Sequence, residues 1–524
     1  MSRILIADPL HPSGVALLRE SGAEVHELTA EERPRLAELL PGFDALVVRS
    51  ATRVTAELLA AGTQLKVVGR AGIGVDNVDV KAATQRGILV VNAPTANMMS
   101  ATEHTFALML ALARRVAAAD AALKKGIWDR KSFVGTELQG KTLGIVGFGR
   151  IGQRVAARAK GFEMAVLAYD PYLDEEVARD HGVEMTSLED LVRRADIVTL
   201  HTPLTDATRN LLNRERLAAM KAGALVINCG RGGTVDEDAL LELLDAGHLG
   251  GAALDVFAEE PPTDFRLAQH PKVVATPHIG AQTREAQLRI AQDTAEMLIK
   301  ALNGSFAVTA VNLPFRADGG PGEVLLDLGA RLGHLAAVLL DGSLKKVEVE
   351  LWGVEESLHR PLGVAVLKGA LTPSLGDGVN YVNAAHLAEE RGIALALSRR
   401  SGTSEYAQLV KVRVSGSAGE LEIAGTVFGR RDARVVSFRG FRLEFRPEGK
   451  LMILRNRDVP GVVGKLGSFL GDAGINIAHI HLAREGGKAD AVAALRLDAL
   501  PSEALRLKLL EFPEILEAKV VDLG

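Results

Sequence analysis

The sequence predicts an α/β protein: two parallel-sheet units in tandem, then an α+β segment and a C-terminal module of order βαββαβ. Three observations predict it. Over roughly the first 280 residues, short β-rich runs ending in Gly, Asp or Pro alternate with Ala/Leu/Glu-rich stretches, the pattern of βαβ units. A Gly/Pro-rich break, Arg316–Gly322, follows. The last 75 or so residues then read strand, helix, strand, strand, helix, strand. With 524 residues, and about 100–200 residues per domain, three or four units are expected and one core is excluded.

Composition narrows the class. Hydrophobic residues make up 47% and charged residues 24% of a chain with net charge −5, which is globular and gives no basic field for nucleic acid. The single cysteine, Cys229, excludes an intramolecular disulfide and every multi-cysteine metal site, and favours a reducing compartment. Met-Ser-Arg runs directly into Ile4-Leu5-Ile6-Ala7, and no uncharged apolar run reaches the roughly 18 residues of a membrane span. A cytoplasmic protein without membrane contact is expected.

In chain order, strands are expected at Ile4–Ala7, Ala45–Val48, Lys66–Gly69 and Ile88–Val91. A long helix, Thr102–Leu123, carries Phe106, Met109, Leu110 and Ala113 at helical spacing and leads into the segment Gly126–Gly135, a helix and arm suited to core or to joining subunits. A second strand series runs Thr142–Val146, Val166–Tyr169, Ile197–Leu200, Leu225–Asn228, Ala252–Asp255 and Val273–Ala275. Helix Arg284–Leu302, ending near Asn303-Gly304, is placed to return the chain to the first unit. From the break ending at Gly322 to about Arg446, helix and strand patterns mix without a nucleotide fingerprint. The tail gives strand Leu451–Arg455, helix Val462–Ala473, strands Asn476–Ala483 and Ala491–Leu497, helix Glu503–Leu510 and strand Ile515–Val521.

The chemistry begins at Gly147-Phe-Gly149-Arg150-Ile151-Gly152, a GxGxxG between a strand and a helix. Gly147 suits the tight turn, Gly149 the approach of a pyrophosphate, Gly152 close helix–strand packing, and helix-start amides face the phosphates. Asp170, 18 residues after Gly152, is placed for the adenosine ribose hydroxyls and against a 2′-phosphate, so NAD is preferred to NADP. Arg231, Glu260 and His278 each follow a later strand of this unit, where an open parallel sheet forms its crevice. Histidine suits proton exchange near neutrality, a glutamate orients it, and an arginine forks onto a carboxylate. Cys229, without a neighbouring base, reads as packing.

These motifs resemble the D-isomer-specific 2-hydroxyacid dehydrogenases: GFGRIG, HTPLT, NCGRGG, DVFAEEPP and TPHIGAQT occur in that family's order, with VVRSAT, GRAGIGVDNVD and NAPTAN resembling its substrate-side loops. The resemblance covers essentially the whole chain and points to the phosphoglycerate-oxidising branch. It implies a flavodoxin-like substrate domain over 1–96 and 285–313, a Rossmann-type NAD-binding domain over 97–284, an intervening α+β domain over 314–446 and a ferredoxin-like ACT domain over 447–524. Arg231, Glu260 and His278 fall on the family's catalytic residues. Cofactor contacts carry over to Arg150, Ile151, Asp170, Thr202, Pro203, Cys229, Gly230, Asp255 and the His278–Ala281 turn with Gly280 and Ala281. Arg49, Ser50, Gly74 and Asn97 resemble substrate-loop residues, and Arg130 and Lys131, beside Trp128, are further cations for a phosphate or else a solvated patch.

In the tail, Asn456, Asp458 and Asn476 are placed for an amino-acid effector, L-serine by resemblance, or else cap turns. His479 and His481 alternate on a strand with no third ligand in reach, so no metal is expected. Arg430, Arg431, Arg434, Arg439 and Arg442 read as a charged strand face before an anion site. The activity implied is NAD-dependent oxidation of 3-phosphoglycerate to 3-phosphohydroxypyruvate at the entry to serine synthesis, by a homodimer or homotetramer. A reductase of hydroxypyruvate, glyoxylate or 2-oxoglutarate shares the same trio, and a non-catalytic NAD- or amino-acid-sensing scaffold is the alternative of another class.

Overall fold

Strands buried on both faces need consecutive apolar residues, and the runs that satisfy this pair in parallel. The first sheet orders its five strands Glu24–Glu27, Arg3–Ile6, Ala45–Val48, Val67–Arg70 and Leu89–Asn92, all parallel, the 2-1-3-4-5 order of flavodoxin-like sheets. The second orders seven parallel strands, Val273–Ala275, Gly251–Leu254, Leu225–Asn228, Ile197–Leu200, Thr142–Val146, Ala165–Tyr169 and Glu184–Met185, so the chain reverses beside Thr142–Val146, the strand that feeds GxGxxG. Glu24–Glu27 and Glu184–Met185 were not expected. Both are edge strands with half their residues charged, too polar to signal a strand by composition. This computed structural model describes every residue except 305–308, 315–321, 402–403 and 485–488. The expected break therefore lies outside the described residues, except for Gly322, which opens a helix.

The long helix expected at Thr102–Leu123 is two helices, Met98–Ala113 and Val116–Lys124. Arg115 between them takes φ 55°, and its guanidinium donates to the Ser132 carbonyl at 2.6 Å, folding the arm back on the joint. Helix Arg284–Leu302 starts at a Thr283 side-chain cap and packs on the first sheet, its Ile290, Ala295 and Leu298 sharing a core with Ile4, Ile6 and Val47. Gly69 allows this approach: a Cβ there would lie 2.1 Å from Leu298 Cδ1.

Beyond residue 321 the α+β expectation holds. A six-stranded sheet, ordered Ala394–Arg399, Leu344–Trp352, Leu409–Gly416, Gly419–Phe428, Asp432–Phe438 and Phe441–Phe445, lies against helices Gly322–Leu339 and His359–Leu375. Of the arginines on its edge, Arg434 pairs with Asp432 and Glu444, Arg439 with Glu517 and Arg442 with Glu405. The last sheet is antiparallel, ordered Ile477–Arg484, Asp490–Leu497, Lys450–Arg457 and Ile515–Asp522, with helices Val462–Asp472 and Glu503–Leu509: the βαββαβ module. Among the described residues, no helix is long and apolar enough to cross a membrane.

Candidate active site

Strand Thr142–Val146 delivers the glycine loop to helix Arg150–Gly161. Gly147 has φ 91°, and a Cβ there would lie 2.8 Å from the His201 carbonyl oxygen. A Cβ on Gly152 would lie 2.3 Å from the Gly147 carbonyl oxygen, whereas one on Gly149 would meet no atom within 4 Å. The loop is thus tight on its protein side and open at its middle glycine, a cradle that a side chain would fill. Arg150 and Ile151 start the helix. Asp170 is fixed beside them, accepting from the Phe148 amide at 2.9 Å and the Tyr172 amide at 3.0 Å. In the neighbouring loop Thr202 Oγ1 is buried without a hydrogen-bond partner, and Pro203 is held through its carbonyl by Thr208 Oγ1 at 2.6 Å. An open cradle, a placed carboxylate and an orphaned hydroxyl fit a dinucleotide.

The reactive turns rest on residues that the sequence did not single out. Asn228 is buried; its Nδ2 donates to the Arg231 carbonyl at 3.0 Å and its Oδ1 accepts from the Gly230 amide at 3.1 Å, shaping the turn that turns Arg231 outward. Burial pushes the Cys229 thiol up to about 12, as a packing residue requires. Gly232 brings this turn against the next loop, since a Cβ would lie 1.7 Å from the Phe257 carbonyl oxygen. Within that loop Glu260 accepts from the Phe257 amide at 3.1 Å and Glu237 from the Ala258 amide at 2.6 Å. Glu260 Oε2 meets His278 Nδ1 at 2.6 Å.

Asp255 builds the turn that carries this histidine. Its carboxylate accepts from Thr276 Oγ1 at 2.6 Å and from the amides of Ile279 and Gly280 at 2.8 Å each, with His104 Nε2 at 3.2 Å. Burial opposes ionisation of Asp255, but His104 and these donors outweigh it and hold the carboxyl below its ordinary range. His278 takes φ 52° as its amide donates to the Asp255 carbonyl at 2.8 Å, and Ala281 accepts Gln287 Nε2 at 2.9 Å. The Asp255 carboxylate, expected at the cofactor, is occupied within the turn.

Across the crevice, buried Asp8 accepts from the Arg49 amide at 2.7 Å and from Thr52 Oγ1 at 2.8 Å, fixing the Arg49–Ser50 loop. Asn77 donates to the carbonyls of Arg49 and Thr52, and Asn92 to that of Ile73, each at 2.6 Å. Arg231 Nε reaches Asp76 Oδ2 at 3.1 Å, and a Cβ on Gly74 would lie 2.1 Å from an Arg231 guanidinium nitrogen, so Gly74 and Arg231 converge as expected residues of one site. Asn97 caps helix Met98–Ala113 from its backbone, leaving its Oδ1 buried without a partner. Arg130 and Lys131 are not brought to this crevice: both are exposed on the arm, where the Lys131 amide bonds Asp129 Oδ1.

The three effector candidates do not converge within one chain. Asn456 is buried in its strand and donates to the Arg457 carbonyl at 2.8 Å. Asp458 sits at the sheet end where Arg457 opposes Asp490, 3.1 Å from Arg484 Nε. Asn476 lies at the other end, where Ile477 opposes Leu497.

Comparison with known proteins places these features in sequence context. A family model described as the NAD binding domain of D-isomer specific 2-hydroxyacid dehydrogenases matches residues 106–280, the D-3-phosphoglycerate dehydrogenase intervening domain matches 323–439, and the ACT domain matches 451–500. The D-3-phosphoglycerate dehydrogenase of Methanocaldococcus jannaschii is 42% identical over 529 residues, and that of Bacillus subtilis 40% over 526, each alignment covering 100% of both chains. A crystal structure of D-lactate dehydrogenase from Aquifex aeolicus, complexed with NAD and lactic acid, is 30% identical, with TM-score 0.54 over 59% of this chain and 98% of that one.

Proposed function

Because the chain belongs to the D-3-phosphoglycerate dehydrogenases of the D-isomer-specific 2-hydroxyacid dehydrogenase family, we propose that it oxidises the C2 hydroxyl of D-3-phosphoglycerate to 3-phosphohydroxypyruvate, opening serine biosynthesis. The observation that carries the mechanism is the 2.6 Å pair of His278 and Glu260 next to the Arg231 turn. NAD, when bound, supplies the acceptor for the C2 hydride. His278 takes the hydroxyl proton on Nε2 while Glu260 holds Nδ1, fixing the tautomer and stabilising the imidazolium. Arg231 forks onto the carboxylate and polarises C2. Gly147, Gly149, Arg150, Ile151, Gly152, Asp170, Thr202 and the 278–281 turn hold the dinucleotide.

In this reading residues 1–96 and 285–313 present the substrate, 97–284 the cofactor, and 314–446 and 447–524 regulate. L-serine is the proposed effector, and a second copy completes its site. Ile477–Arg484 is an edge strand; antiparallel pairing with its own copy brings Asn476 of one chain to the Arg484–Asp458 end of the other.

The test is NADH oxidation with phosphohydroxypyruvate, hydroxypyruvate, glyoxylate and 2-oxoglutarate. The phosphorylated acid is expected to be preferred, and preference for any other overturns the substrate. His278→Gln should lower kcat by about 10²–10⁴-fold without changing NADH affinity; near-normal turnover overturns the mechanism.

A further inference from the structure

Between strand Gly251–Leu254 and helix Arg266–Gln269 the chain forms neither helix nor strand, so the amides that place Glu260 take partners from outside a ladder. Two consecutive amides are held by glutamates. Phe257 donates to Glu260 Oε1 at 3.1 Å, and Ala258 to Glu237 Oε1 at 2.6 Å. The first bond leaves Glu260 Oε2 on His278 Nδ1 at 2.6 Å. The second reaches across 21 residues of sequence, from the first turn of helix Glu237–Asp245.

That helix does not itself require Glu237 to turn this way. Asp236 caps it, accepting from the Ala239 amide at 3.0 Å, and Asp238 adds an exposed acid to the same turn. Glu237 is instead half-buried against the loop. Burial above all, with Asp238 and Glu260 nearby, pushes its carboxyl above the ordinary range while the Ala258 amide pulls the other way. An exposed position would avoid that cost.

The same peptide is pinned from its other side. The Phe257 carbonyl and the Ala258 amide belong to one planar unit. A Cβ on Gly232 would lie 1.7 Å from that carbonyl oxygen and 2.8 Å from the Ala258 nitrogen, so the glycine lets the Arg231 turn close on the plane while Glu237 holds its N–H. Residues 231–237 thus carry the arginine, the glycine contact and the carboxylate in one short stretch. Turning the plane would carry Phe257, and with it Glu260, away from both.

We propose that Glu237 is a positioning residue for the dehydrogenase reaction: by holding the Phe257–Ala258 peptide it keeps the Glu260 carboxylate on His278 Nδ1 in register with Arg231. The inference rests on the proposed function, which makes His278 the proton acceptor and Arg231 the carboxylate ligand. Glu237 touches neither substrate nor cofactor in this role and acts through Glu260.

The test measures NADH-dependent reduction of phosphohydroxypyruvate by the wild type, Glu237→Ala, Glu237→Gln, Glu260→Gln and the double variant of Glu237→Ala with Glu260→Gln. In Glu237→Ala kcat is expected to fall by about 10-fold, the scale of one hydrogen bond to a charged group, with KM and NADH affinity close to wild type. Glu237→Gln, whose amide oxygen still accepts from Ala258, should recover most of that loss. In the Glu260→Gln background Glu237→Ala should cost less than about 2-fold more, because the two act as one unit. Should Glu237→Ala not fold, Glu237→Leu, which keeps the bulk and offers no acceptor, carries the same measurement. Equal losses in the Ala and Gln variants, or losses that multiply with that of Glu260→Gln, overturn the role. A wild type that prefers hydroxypyruvate overturns the proposed substrate, and the same ratios taken with that acid still decide Glu237.

Discussion

Acidification should loosen the cofactor sheet through one histidine. His201 follows strand Ile197–Leu200, its amide donating to the Val146 carbonyl at 2.8 Å and its Nε2 lying 3.1 Å from Thr199 Oγ1. Burial pushes its pKa down from 6.5 to about 4, so the folded chain keeps this imidazole neutral where the unfolded chain protonates it. Between those two values the unfolded state binds the extra proton. The contribution is therefore fully present above about pH 6.5 and is lost as pH falls toward 4. At about 1.4 kcal/mol per pKa unit the whole effect is about 3 kcal/mol, of which about 2 kcal/mol has gone by pH 5. Hydrogen exchange of the Ile197–Leu200 amides, corrected for intrinsic rates, measures it: protection should fall about 30-fold more in wild type than in His201→Asn between pH 7.5 and pH 5. Equal losses in the two proteins would refute the burial argument.

Gly149→Val should fold normally, because its Cβ enters open space, yet lose NADH affinity by up to about 100-fold, as an overpacked contact costs up to about 3 kcal/mol. Titration calorimetry alongside a melting curve checks this, and unchanged affinity removes the loop as the cofactor cradle. Gly152→Val, aimed 2.3 Å from a carbonyl oxygen, should instead yield little folded protein. Cys229, its thiol pushed up to about 12, should resist iodoacetamide at pH 8 and react once guanidinium is added, since thiolate is the reactive form; rapid native labelling contradicts its burial. In Asn476→Ala the L-serine concentration for half inhibition should rise by about 10-fold, the loss of one or two hydrogen bonds. Equal sensitivity in variant and wild type takes Asn476 out of the effector site, and a wild type indifferent to L-serine removes the effector.

What the sequence made legible was periodic or glycine-bound. Val273–Ala275 and Arg284–Leu302 are found at their expected bounds, the helix because Thr283 caps its start and Asn303-Gly304 ends it. GFGRIG was readable because each glycine answers a backbone demand. Asp8, Asn77, Asn228 and Glu237 were not readable, because each acts by bonding loop amides or carbonyls, and a lone polar residue leaves no pattern. The break at Arg115 was hidden within a run of helix-compatible residues, and Asp458 and Asn476, read as candidates for one effector, lie at opposite ends of the sheet.

Helix Arg284–Leu302 completes a core begun by Ile4 and Ile6, which sets an order for synthesis on the ribosome. At about 5–20 residues per second, the first strands wait roughly 15–60 s for the helix that covers them. Meanwhile their unmatched apolar face is open to chaperones or to other nascent chains.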